Sequence, residues 1–126
     1  MSDQERFPHN LVLQKHEGGF WRLITPFTYR SDLLGEIVVP EGFVTDLASV
    51  PWFARWYVSR DGNHTRAAVV HDYLYARSSE ASFPDTSRRT ADRVFLEAMR
   101  VCNLRPTLAR VLYSAVRIGG GSSFRV

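Results

Sequence analysis

With 126 residues, 44% of them apolar and 23% charged, the chain has the size and balance of one globular domain, which excludes a disordered tract or a fibre. A single cysteine, Cys102, excludes an internal disulfide and a cysteine-cluster metal site. The net charge of +3 is uneven: residues 1–64 carry six basic and eight acidic side chains, residues 65–126 ten and five.

The opening stretch Met1-Ser2-Asp3-Gln4-Glu5-Arg6 lacks a basic region leading into an apolar run, and nothing approaches the ~20 apolar residues that span a bilayer. The expected location is the cytoplasm, or a particle assembled there. Five short runs then read as strands, at residues 11–13, 20–24, 27–29, 37–39 and 43–45. Aromatic and β-branched residues fill them, and Gly18-Gly19, Pro26, Gly35 and Pro40-Glu41-Gly42 punctuate them as turns. Residues 11–45 are therefore expected to form a small antiparallel sheet.

After Asp46 the pattern changes. Ser49 before Val50-Pro51 resembles a cap opening a short helix through Trp52, Phe53, Trp56 and Tyr57. Three longer helices are expected at about 65–76, 87–102 and 106–118, the last closed by Gly119-Gly120-Gly121. Strands first and helices after make an α+β fold in one domain over residues 1–126: a β-rich part to 45, a helical part over 49–118 and a tail over 119–126. The glycine-serine tail should fray unless something ties it down, as packing into an assembly would. Residues 78–86 form a loop placed to cover or edge a site.

The helix at 65–76 is apolar on every side and only His71 and Asp72 break it, which predicts a buried polar constellation. In the next helix, Ala91, Phe95, Ala98, Met99 and Cys102 make the apolar stripe. Asp92 projects from its edge, while Arg93, Glu97 and Arg100 take the wet side. Asp92 thus points inward, as a carboxylate orienting a histidine must. Asp46 stands where strand turns to helix, a common place for a functional residue. A bland alternative stays open: Asp72 pairs with a buried arginine such as Arg66 or Arg117, His71 is a core histidine, and Asp46 only caps a helix. His9, His16 and His64 read as solvated. The arginines of the basic half are dispersed and not interleaved with aromatic residues, so a nucleic-acid surface is not expected.

The motif His71-Asp72-Tyr73-Leu74-Tyr75 resembles the His-Asp-x-x-Tyr helix of phospholipases A2, and Asp92 is similar to the carboxylate those enzymes place on a second helix. That resemblance implies a phospholipase-like helix pair in which His71 is the general base and Asp92 holds its ring. Asp72 and Asp46 would bind a divalent cation, calcium, that stabilises the oxyanion. Carbonyls of Thr45 or Leu47 would complete its shell, and Tyr75 would brace the site. The chain lacks the glycine-rich calcium loop of that superfamily.

A longer match runs through four segments in order: Pro40-x-Gly42-Phe43-Val44-Thr45-Asp46-x-Ala48-Ser49-Val50-Pro51, then 67–75, then Ala91-Asp92-x-x-Phe95-x-x-Ala98-Met99, then Tyr113-x-Ala115-Val116-Arg117. It resembles the DUF1353 domain-of-unknown-function family of tailed phages and prophages. The resemblance implies phage origin and a site centred on Asp46, His71, Asp72 and Asp92. Three functions follow as expectations: a metal-assisted, esterase-like hydrolase with a lipid or cell-envelope substrate; a virion- or tail-associated structural protein that packs with other virion proteins; or an accessory protein that binds a host factor.

Overall fold

The chain reverses where Ser31 ends one strand: its Oγ accepts from the Leu33 and Leu34 amides at 3.0 and 3.3 Å, and Gly35 takes the positive φ of 75° that starts the return. The result is a hairpin of β3 (Phe27–Ser31) and β4 (Gly35–Val39), antiparallel with Phe27 opposite Val39 and Ser31 opposite Gly35. Ile37 and Val39 point into the core while Val38 points out, the period of two that a half-buried strand requires. The computed structural model describes residues 2–45 and 64–126.

Among these residues the strands form two antiparallel sheets where one was expected. Besides the hairpin, β1 (Leu13–Lys15), β2 (Trp21–Leu23) and β5 (Val44–Thr45) pair in the order β1-β2-β5. β1 starts two residues later than its apolar run suggested. Trp21 pairs with Thr45 and Arg22 with Val44. Gly42, at φ 85°, turns its amide onto the Leu23 carbonyl at 2.8 Å and so feeds β5 back onto β2. A short helix not foreseen in the sequence, α1 (Asp3–Arg6), is capped by Ser2 and packs on β3, where Phe7 meets Phe27 and Tyr29 at ring distances of 5.5 and 4.6 Å.

The three longer helices lie within two residues of their expected bounds: α2 (His64–Tyr75), α3 (Arg88–Val101) and α4 (Pro106–Gly119). The proposed short helix, with Asp46, Leu47 and Ser49, lies outside the described residues. α3 opens on Ser87, whose Oγ accepts from the Thr90 amide at 3.1 Å. It closes where Asn103 adopts φ 62° and the Leu104 amide returns to the Met99 carbonyl. Its stripe is buried as expected, except that Glu97 leaves the wet side: Oε1 accepts from Tyr29 Oη at 2.5 Å and Oε2 from the Asp32 amide at 3.1 Å. α2 sits between hairpin and helices with Ala67 to His71 and Tyr73 to Tyr75 buried. No helix among the described residues is long and apolar enough to cross a membrane.

The tail corrects an expectation, because the chain itself ties it down. The Arg125 amide donates to the Tyr75 carbonyl at 2.7 Å, and its guanidinium reaches the Phe83 carbonyl at 2.8 Å. Phe124 meets the edge of Tyr75 at 5.2 Å. No assembly is required to order this stretch. The loop at 78–86 is partly a 3₁₀ helix (Arg77–Ala81) held under Arg125, and none of its residues lines the pocket described below.

Candidate functional site

α2 presents His71 and Tyr75 one turn apart on one face, and α3 meets that face with Asp92. His71 Nε2 lies 2.7 Å from Asp92 Oδ1, with 2% of the histidine and none of the aspartate exposed. The Tyr75 hydroxyl donates to the same oxygen at 2.6 Å, and Arg117 Nη1, from α4, donates to Oδ2 at 2.8 Å. One carboxylate thus gathers donors from two other helices. The His71 ring is packed between Phe95, stacked at 4.5 Å, and Tyr75 at 4.3 Å, which fixes its plane.

The electrostatics follow from this geometry. Burial alone would raise the Asp92 pKa, but hydrogen bonds from His71, Tyr75 and Arg117 outweigh it and hold the carboxyl below its ordinary range. Asp92 is therefore an anion, and the nitrogen facing it is the N–H of the ring. Burial, and then the bond to Asp92, push the Tyr75 phenol far up, so it stays a neutral donor. Arg117 is raised in turn by its bond to Asp92.

Asp72 departs from the sequence expectation of a buried charge. It is only half-buried, and its Oδ2 accepts from the hydroxyl of Thr45 at the end of β5. Neither arginine named as its partner is its ion pair: Arg117 bonds Asp92, while Arg66 pairs with Asp3 at 3.7 Å and lies over the Phe7 ring. Thr45 thus meets Asp72 through its side-chain hydroxyl. His9 and His16 are exposed as foreseen, and His64 is half-buried at the start of α2.

Both His71 and Asp72 line a pocket of about 990 Å³ between α2, α4 and the β2–β5 edge. Its walls are mostly apolar: Phe20, Val44, Val111 and Ile118 line it and are 40%, 40%, 45% and 88% exposed, and Arg110 adds a cation. A concave apolar space with a few convergent polar groups is the usual form of a small-molecule site. Among the described residues no group of three or more His, Cys, Asp or Glu side chains could hold a metal ion. Asp72 is the one predicted carboxylate ligand among the described residues, and one of its oxygens already serves the Thr45 hydroxyl. The described residues alone fall short of the six to eight oxygens that calcium takes.

Sequence reasoning missed Arg88. Its Nε donates to Tyr75 Oη at 3.2 Å and its Nη2 to the Val116 and Arg117 carbonyls at 2.8 and 2.5 Å. The one available signal was a basic side chain in the first turn of a helix, where the dipole disfavours it and a specific partner must compensate.

No curated protein and no solved structure matches the chain. The pattern of one family covers residues 21–116, from β2 through Val116 of α4, and so takes in His71, Asp72 and Asp92 but leaves Phe20 and Ile118 of the pocket wall outside. On that match the chain belongs to the protein family of unknown function DUF1353.

Proposed function

We propose that this chain is a small hydrolase of ester-like bonds, encoded by a phage or prophage and made in the host cytoplasm. The observation that carries the reading is a buried His71–Asp92 pair whose histidine also lines an apolar pocket. Nε2 keeps its proton on Asp92, which holds the ring for its role as the base. Water adds to the substrate carbonyl as His71 accepts its proton. The tetrahedral adduct then expels the alcohol, which takes the proton back and leaves the acid. Asp92 orients the ring and stabilises the imidazolium, and Tyr75 and Arg117 hold Asp92. The pocket walls favour a substrate with an acyl chain, a lipid or envelope ester.

A hard divalent ion, calcium first, belongs to this reading as a proposal resting on Asp72 and on Asp46. When bound it would stabilise the oxyanion. The test is hydrolysis of 4-nitrophenyl esters from acetate to palmitate, with and without calcium, magnesium or manganese. Turnover that rises with chain length and vanishes in His71→Asn supports the reading. No turnover by the wild type under any condition sinks it.

Three donors converging on Asp92 from α2 and α4 also favour a second reading, in which the cluster is a strut within a virion- or tail-associated protein. Co-purification of the chain with assembled particles, together with inactivity on every ester, selects it over the hydrolase. Binding a host factor is the remaining alternative, and recovery of a stoichiometric host complex would select that one.

A further inference from the structure

The Tyr75 hydroxyl is enclosed more tightly than a brace needs. It has one proton, and Arg88 Nε already donates into its oxygen at 3.2 Å, so the proton can only serve an acceptor elsewhere: Asp92 Oδ1, at 2.6 Å. On another side stands Gly120, just past α4. A Cβ there would come within 2.6 Å of the Val116 carbonyl, 2.8 Å of the hydroxyl oxygen and 3.1 Å of the ring, so the close approach of helix end and phenol depends on a residue with no side chain. Arg88 also donates to the carbonyls of Val116 and Arg117, which pins the turn that carries the other Asp92 donor, Arg117. Both donors to Asp92 other than His71 are thus set by one guanidinium.

We propose that Arg88 and Gly120 are positioning residues: they aim the Tyr75 hydroxyl at Asp92 and so fix the carboxylate against His71 Nε2. Its importance for turnover rests on the hydrolase reading, but its test needs no turnover. In protein labelled with ¹⁵N-histidine, the His71 Nε2 proton should be seen as a ring N–H protected from exchange with water. Arg88→Lys keeps the charge and can still reach the helix-end carbonyls, but cannot present the same fork to Tyr75. It should speed exchange of that proton about tenfold, the equivalent of one weakened hydrogen bond. Gly120→Ala, whose methyl would crowd both that hydroxyl and the Val116 carbonyl that Arg88 holds, should change it in the same direction. In a Tyr75→Phe background Arg88→Lys should add nothing, and Arg89→Ala, on the exposed neighbour, should leave the proton unchanged.

The proposal is overturned by unchanged exchange in Arg88→Lys and Gly120→Ala, by an undiminished Arg88→Lys effect in the Tyr75→Phe background, or by a wild type without a protected ring proton. If the wild type cleaves no ester while these exchange effects appear, the positioning device stands and the hydrolase reading alone fails.

Discussion

Asp92 on α3 and Arg117 on α4 form a buried-to-surface ion pair at 2.8 Å, with the carboxylate wholly enclosed and 28% of the arginine side chain exposed. The guanidinium therefore keeps part of its hydration while neutralising a charge that has none. Trimming the arginine is therefore expected to be the costlier change, because it leaves the enclosed carboxylate charge without its counter-ion.

Asp92→Asn turns an acceptor into a group that must present N–H to one of the donors aimed at it from His71, Tyr75 and Arg117. The expected loss is about 1–3 kcal/mol, as for a buried hydrogen-bonding group left without its partner, read from the midpoint of urea unfolding. Arg117→Ala should cost more than that, because it strands the enclosed charge. Equal losses would refute the asymmetry.

Acid should act through the same carboxyl. Its folded pKa lies below the ordinary 3.8, so the unfolded chain takes up the proton first as pH falls. The stability it contributes is fully present above 3.8 and is lost as pH drops from there through the folded value. Wild-type unfolding free energy should therefore fall steeply below pH 4, and Asp92→Asn should flatten that limb. A parallel slope in the variant would assign acid sensitivity to other carboxyls.

Asp72→Ala tests the half-buried member of the motif. Removing it takes an acceptor from the Thr45 hydroxyl, which is 1% exposed, so a loss of about 1–2 kcal/mol is expected. Calorimetric titration with calcium separates the roles. Binding to the wild type that disappears in Asp72→Ala supports the ion, and heat-free titrations of both remove it.

Cys102 is 2% exposed, and burial pushes its thiol up to about 11. It should resist alkylation in the native protein at neutral pH and react at once in denaturant. Rapid native labelling would mean that the end of α3 opens far more readily than its packing indicates.

The helices were legible because their apolar residues recur at helical spacing and their ends carry Ser87, Pro106 and a glycine run, all local signals. Asp92 was legible for the same reason, being an acid on the edge of an apolar stripe. Partners were not. Arg117 was foreseen as a candidate for Asp72 and goes to Asp92 instead, because helix-to-helix placement, not spacing, decides which carboxylate a long side chain reaches. Arg88, Arg125 and the Thr45 hydroxyl act across separations of 13 to 46 residues, which no local pattern encodes. The division into two sheets was hidden likewise, since alternation marks a strand but not its neighbour.

The strand order β1-β2-β5 leaves the β3–β4 hairpin lying wholly between two strands that pair with each other. Before the hairpin forms, joining β2 to β5 closes a long flexible loop; once it has zipped, the free length that must be ordered is only the short links on either side. The hairpin is thus placed to act early, as a kinetic splint for the strand that carries Thr45 toward Asp72. Substitutions of Ile37 or Val39 should slow refolding, whereas Leu13→Ala, on an outer strand, should chiefly hasten unfolding.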